Sequence, residues 1–122
     1  MEVMTVPFLV ARGIYMSEIG STEQALFIYL RLSDDEFGEP GEREALFALE
    51  DGLIDAIALK KAGEYDGHEF GEGFGTLYMY GPDVDQLFDA VIPTLREFGP
   101  RTGSYLVKRY GPPGSREEQV DL

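Results

Sequence analysis

Residues 25–32 alternate without interruption: Leu26, Ile28, Leu30 and Leu32 share one side of an extended chain, and Ala25, Phe27, Tyr29 and Arg31 share the other. Side chains along a β-strand point to opposite faces with a period of two. The segment therefore specifies a strand with an aliphatic side for a core and a second, aromatic-to-cationic side. The rest of the chain has to cover the first side and leave a place for the second.

After a loop over residues 33–41 the period changes. Leu46, Leu49, Leu53 and Ile57, flanked by Phe47 and Ile54, recur at helical spacing from Pro40-Gly41 to Ala62. Glu42 and Glu44 stand in the first turn and Lys60 and Lys61 in the last, as the helix dipole favours, and Gly63 is placed to take the left-handed conformation at the end. Gly52, inside the helix, costs about 1 kcal/mol against alanine and marks either close packing or a tolerated weakness. Residues 64–70 and 74–80 read as two short strands around Gly71-Glu72-Gly73. Gly81-Pro82-Asp83 opens a second helix, with proline suited to its first position and Val84, Leu87, Phe88, Val91, Leu95 and Phe98 as its buried stripe. Pro93 withholds an amide from the carbonyl of Asp89 and predicts a kink. Residues 103–110 read as a last strand, and 111–122 as a polar tail containing Pro and Gly. Residues 7–16, rich in Phe, Leu, Val, Ile and Tyr, predict one further strand, with Pro7 at its edge.

The order is strand, then strand-helix-strand-strand-helix-strand, and the last six elements match the split βαβ pattern of ferredoxin-like domains. The predicted fold class is α+β: a ferredoxin-like βαββαβ domain over residues 1–110 with an additional N-terminal strand. Its antiparallel sheet has two helices on one face, with residues 25–32 and 74–80 as central strands. The other face is open, to be filled by dimerisation, by the N-terminal strand or by a ligand, because large exposed aromatic patches are uncommon on monomers.

Charge limits what such a face meets. The chain carries 23 acidic and 10 basic residues, a net charge of -13, and the stretch from Asp34 to Asp89 holds 16 of the acidic and 3 of the basic ones. The excess belongs to the middle of the chain. It repels phosphate backbones and anionic lipid, which argues against direct nucleic-acid binding and against membrane adsorption, and it favours basic partners. The same charge also serves as a solvated surface that keeps molecules apart. With no cysteine there is no disulfide, thiolate nucleophile or Cys-ligated metal. The start, Met1-Glu2-Val3-Met4, lacks a basic region, and the apolar run of residues 6–11 is too short for a signal peptide or a span, so the predicted location is cytoplasmic.

Motifs for chemistry are thin. Gly73-Phe74-Gly75-Thr76-Leu77-Tyr78-Met79 matches the RNA-binding RNP1 pattern only at Gly73, Phe74 and Gly75, with Leu77 a conservative stand-in, and Glu64, Asp66 and Glu69 just before it repel phosphates. His68 is the only histidine, and along a regular strand Asp66 shares its side while Glu69 does not. Two ligands make a poor metal site, and Asp34-Asp35-Glu36 lacks the spacing of a calcium loop, so no metal and no cofactor is predicted. No Gly-x-Ser-x-Gly elbow surrounds any serine, and Gly71, Gly73 and Gly75 precede a strand, not the helix N-terminus that holds a phosphate. No catalytic residue is assigned. The aromatic set carries more: Phe27, Tyr29, Phe74, Tyr78, Tyr80, Tyr105 and Tyr110 all fall on predicted strands, with Arg31 and Arg109 nearby. Such a composition suits an open sheet face that makes protein contacts.

Glu64-Tyr65-Asp66-Gly67, the run from Gly75 to Asp83, and Lys108-Arg109-Tyr110-Gly111-Pro112-Pro113-Gly114 resemble a family of small bacterial ferredoxin-like proteins with no established activity. Tyr65-Asp66-Gly67 followed by Gly75-Thr76 is more faintly similar to the regulator of ribonuclease E activity B family. That likeness implies an acidic ferredoxin-like inhibitor acting by binding an enzyme, although here the Gly-Thr follows a longer insertion and lies mid-chain.

These observations point to a non-enzymatic acidic protein-binding module: an inhibitor, immunity or regulatory protein docking on a basic partner such as a nuclease or toxin. The candidate partner-binding residues are Asp34, Asp35, Glu36, Asp66, His68, Glu69, Glu72, Tyr29, Tyr78 and Tyr80. The alternative is a small-molecule-binding protein or enzyme with a pocket on the open sheet face or at a homodimer interface, drawing on His68, Asp66 and the tyrosines.

Overall fold

The computed structural model describes residues 23–33 and 38–122. Along the chain run strand β1 (Gln24–Arg31), helix α1 (Pro40–Lys60), strands β2 (Glu64–Gly71) and β3 (Phe74–Gly81), helix α2 (Val84–Phe98), and strands β4 (Tyr105–Arg109) and β5 (Glu117–Asp121). The fold is α+β, with two helices and a five-stranded antiparallel sheet in the order β2-β3-β1-β4-β5. No described helix is long and apolar enough to cross a membrane.

The uninterrupted alternation of β1 places it at the centre of the sheet. Ile28 lies between Leu77 of β3 and Leu106 of β4, and Leu26 lies opposite Met79. These residues, with Leu30 and Leu32, bury one sheet face against Leu46, Leu49, Leu53 and Ile57 of α1 and Val84, Leu87, Ala90, Val91 and Leu95 of α2. The helices also pack on each other. A Cβ at Gly52 would stand 3.1 Å from Thr94 Cγ2, so the glycine in α1 marks a close helix approach.

Several local features depart from the sequence expectations. The left-handed residue that closes α1 is Lys61 (φ 52°), not Gly63. Gly63 is required for a different reason: a Cβ there would lie 2.1 Å from the carbonyl oxygen of Tyr80, where the start of β2 passes the end of β3. Pro82 precedes α2 instead of opening it. The cap is Asp83, whose carboxylate accepts from the amides of Asp85 and Gln86, while Gln24 Oε1 accepts from Val84 N at 2.7 Å. Pro93 lies inside α2, as the sequence reading has it, and the helix continues past it to Phe98. Pro93 and Asp89 both lie on its exposed side, so the carbonyl that proline leaves without a helical donor is on the face turned to solvent.

The additional N-terminal strand, residues 7–16, lies outside the described residues. The fifth strand is β5, which comes from the segment the sequence suggests is a polar tail. Val120, its single apolar residue, sits opposite Leu106 and packs at the margin of the core. Two of the other β5 positions stand opposite cations, Glu118 beside Lys108 and Glu117 beside Arg109, while Gln119 faces Val107 and Asp121 faces Tyr105. With β5 beside it, β4 becomes an interior strand, so among the described residues the sheet has three interior strands where the sequence suggests two.

Candidate functional site

The face of the sheet turned away from the helices is built by the other half of the alternation. Phe27, Tyr29 and Arg31 of β1 lie beside Tyr78, Thr76 and Phe74 of β3, and Phe27 and Tyr29 lie beside Val107 and Tyr105 of β4. No described element covers it. Its six rings, Phe27, Tyr29, Phe74, Tyr78, Tyr80 and Tyr105, are all partly exposed and interlock. Phe27 meets Tyr78 and Tyr80 edge-on at 5.6 and 6.0 Å, Tyr29 stacks on Tyr105 at 4.7 Å, and Phe74 meets Tyr29 and Tyr105 edge-on. The guanidinium of Arg31 lies 5.2 Å from the Phe74 ring centre and that of Arg109 lies 5.3 Å from Phe27. Interlocked rings have little rotamer freedom left, so they form a preorganised surface.

Carboxylates flank this surface on both sides. One cross-strand row runs Glu69, Thr76, Tyr29, Tyr105, Asp121, and another runs Glu64, Tyr80, Ala25, Arg109, Glu117. Each row begins on β2 and ends on β5 with an acid. Glu69 Oε1 accepts a 2.5 Å hydrogen bond from the Tyr78 hydroxyl. Burial raises the Tyr78 phenol, and the hydrogen bond to Glu69 raises it further. Burial likewise raises Tyr29, with Tyr105, Glu117 and Glu69 adding in that order. Carboxylates from both edges are thus felt at the middle of the face, which makes it electronegative around Tyr29 and Tyr78.

The predicted site residues separate into several groups. Tyr29, Tyr78, Tyr80 and Glu69 converge on the open face. Glu72 sits in the β2–β3 turn at φ 55°. Asp66 occupies a bulge, because Tyr65 pairs with Met79 and Gly67 with Tyr78, leaving Asp66 as the extra residue. Asp34, Asp35 and Glu36 lie outside the described residues. Tyr110 leaves the aromatic set: its hydroxyl donates to Asp85 at 2.8 Å beside α2.

His68 belongs to the helix side of the sheet. Its Nδ1 lies 2.6 Å from Glu50 Oε2 on α1, and the Tyr65 hydroxyl donates to the same oxygen at 2.5 Å. A carboxylate only accepts, so Nδ1 is the donor in this contact. Phe47 and Phe70 flank the imidazole at 5.4 and 5.3 Å. Burial and then the bond to Glu50 raise the Tyr65 phenol. The cluster ties α1 to β2, and its Glu50 escapes a sequence reading because the partners lie 15 and 18 residues away. Glu117 and Asp121 are missed for another reason: one apolar residue in five gives β5 no strand signal. Among the described residues no three His, Asp or Glu side chains gather as a metal-ligand set.

Compared with known protein families, with curated proteins and with solved structures, the chain matches none.

Proposed function

We propose that this chain is a non-enzymatic protein-binding module of the cytoplasm that docks a basic protein on its open sheet face, as an inhibitor, immunity protein or regulator of a nuclease or toxin would. The observation that carries the reading is the arrangement of the face: six partly exposed, interlocked rings with carboxylates at both ends of two cross-strand rows. Aromatic anchors supply buried contact area, and flanking charge steers a cationic surface into register. The net charge of -13 works in the same direction over longer range and disfavours a second copy of the chain as the occupant. We further propose that residues 24–109 form a ferredoxin-like split βαβ unit, which the strand order β2-β3-β1-β4 supports, with β5 as an addition to it.

The test uses a partner captured from the native host, identified and purified, with binding measured at two salt concentrations. Reversing Glu69 and Glu117 to Lys is expected to weaken binding at least tenfold, about 1.4 kcal/mol. Reversing Glu44 and Asp51 on α1 is expected to leave it within twofold. Equal losses from both pairs would show that charge acts only in bulk and would refute docking on this face.

A further inference from the structure

The open face offers side chains but no backbone. The interior strands β3, β1 and β4 are each hydrogen-bonded to a neighbour on both sides, so their amides and carbonyls are engaged within the sheet. A segment laid on these rings leaves its own backbone groups without partners unless it satisfies them itself, and an unpaired buried amide is costly. A helix does that and an extended segment does not. Strand addition at an edge is also poorly served. Strand β2 carries a bulge at Asp66 and acidic side chains, and β5 has five residues, three of them acidic. Such edges resist pairing with another chain.

The dimensions agree. Glu69 and Asp121 are four strand positions apart, as are Glu64 and Glu117, a separation of about 19 Å at the usual strand spacing. An α-helix with its side chains is about 10–12 Å across. One helix therefore fits on the rings with room for a basic side chain on either flank, and two helices do not. Along the strand, the two rows cross β1 at Ala25 and Tyr29, about 13 Å apart. That distance corresponds to about nine helical residues.

We infer that the open face receives one amphipathic helix of the partner, lying along β1 with an apolar stripe on the rings and Lys or Arg on both flanks facing Glu64 and Glu69 on one side and Glu117 and Asp121 on the other. This rests on the reading that the face docks a basic protein, and it adds the shape of what docks. A helix there would cover the sheet on its second side, the layered arrangement that doubly wound α/β folds build within one chain.

The chain has no tryptophan, so a single tryptophan in a probe reports binding without interference. Two synthetic peptides of identical composition (Leu, Ala, Lys and one Trp, about 18 residues, long enough to span the face at 1.5 Å per residue) are titrated into the full chain. One is ordered for an amphipathic helix with Lys on both flanks, and the other alternates Leu and Lys with a period of two. The helical peptide is expected to bind at least tenfold more tightly, with a blue-shifted emission, and Glu69→Lys with Glu117→Lys is expected to abolish that binding while Glu44→Lys with Asp51→Lys does not. Equal binding of both peptides, lost on reversal of the face, overturns the helix and leaves basic docking standing. Binding of neither overturns both. Binding that follows the α1 reversals, or sedimentation as a dimer that the face reversals dissociate, assigns the face to another use and overturns the inference.

Discussion

Glu42 gives the sharpest test of how the ends of the elements are held. Its carboxylate accepts from Ser33 Oγ at 2.7 Å, from Ser33 N at 2.9 and 3.1 Å, from Glu39 N at 3.1 Å and from Arg101 Nη2 at 2.9 Å. One side chain thus joins the exit of β1, the start of α1 and the turn before β4. Desolvation pushes its carboxyl up, but the hydrogen bonds from Ser33, then Glu39 and Arg101, outweigh it and bring it from 4.5 down to about 2. Unscreened, a shift of that size corresponds to about 3 kcal/mol. With the side chain 22% exposed, solvent screening reduces this to about 1–2 kcal/mol. Because the folded value is depressed, the stabilisation is complete above the unfolded value and is lost as pH falls from about 4.5 toward 2. Glu42→Gln should therefore lower stability in urea, followed by circular dichroism, by about 1–2 kcal/mol at pH 7, a loss of about 3–6 °C in Tm for each kcal/mol. At pH 3 about two-fifths of the difference should remain. Equal stability of the two proteins at pH 7, or an undiminished difference at pH 3, would refute the reasoning.

Other perturbations separate burial from exposure. Leu53→Ala, at a fully buried position between the helices and the sheet, should cost about 2–5 kcal/mol, whereas Leu59→Ala, 80% exposed, should stay within about 0.5 kcal/mol; chemical denaturation of the pair measures both. Gly63→Ala drives a Cβ to 2.1 Å from the Tyr80 carbonyl and should destabilise by about 2 kcal/mol or more, while Gly41→Ala, with nothing within 4 Å, should be neutral or stabilising by up to about 1 kcal/mol in thermal melts. Tyr110 is raised to about 12 by burial and then by its hydrogen bonds to Asp85 and Glu118. Folding therefore favours its protonated form, and that contribution is lost as pH rises toward 12; ultraviolet titration of Tyr110→Phe against the parent should remove one late-ionising phenol.

Much of the architecture is legible because it rests on strong periodicities. The alternation of residues 25–32 specifies both faces of β1, the helical spacing of Leu46 to Ile57 specifies the buried side of α1, and the glycines around Glu72 mark the β2–β3 turn. What is not legible depends on partners far along the chain. His68 and Asp66 share a side only on a regular strand, and the bulge after Tyr65 breaks that parity and leaves His68 opposite Leu77, facing Glu50. The end of α1 is equally non-local: Lys61 takes the left-handed conformation that the sequence assigns to Gly63, and Gly63 is constrained by Tyr80, 17 residues further along. Strand β5 is held by pairing with β4 and by the ion pair of Lys108 with Glu118, neither of which a local hydrophobic pattern records.

The charge of the chain takes on a different meaning once the register is known. Along the sequence the negative excess lies between Asp34 and Asp89, and the flanks balance. In the sheet, Glu64 and Glu69 come from that acidic middle, while Glu117 and Asp121 come from the C-terminal flank, in which five basic residues outnumber four acidic ones. Two cations of that flank turn away from the open face: Lys108 lies over Phe88 and pairs with Asp85 on the helix side, and Arg116 lies over Tyr110. Of the two arginines left on the open face, each rests against a ring, Arg31 against Phe74 and Arg109 against Phe27. A guanidinium already seated on an aromatic face is a working example of the contact that a partner's Lys or Arg would make there. The second acidic edge is therefore a product of β-pairing and not of composition, and removing β5 should cost the face half of its flanking carboxylates while leaving its six rings in place.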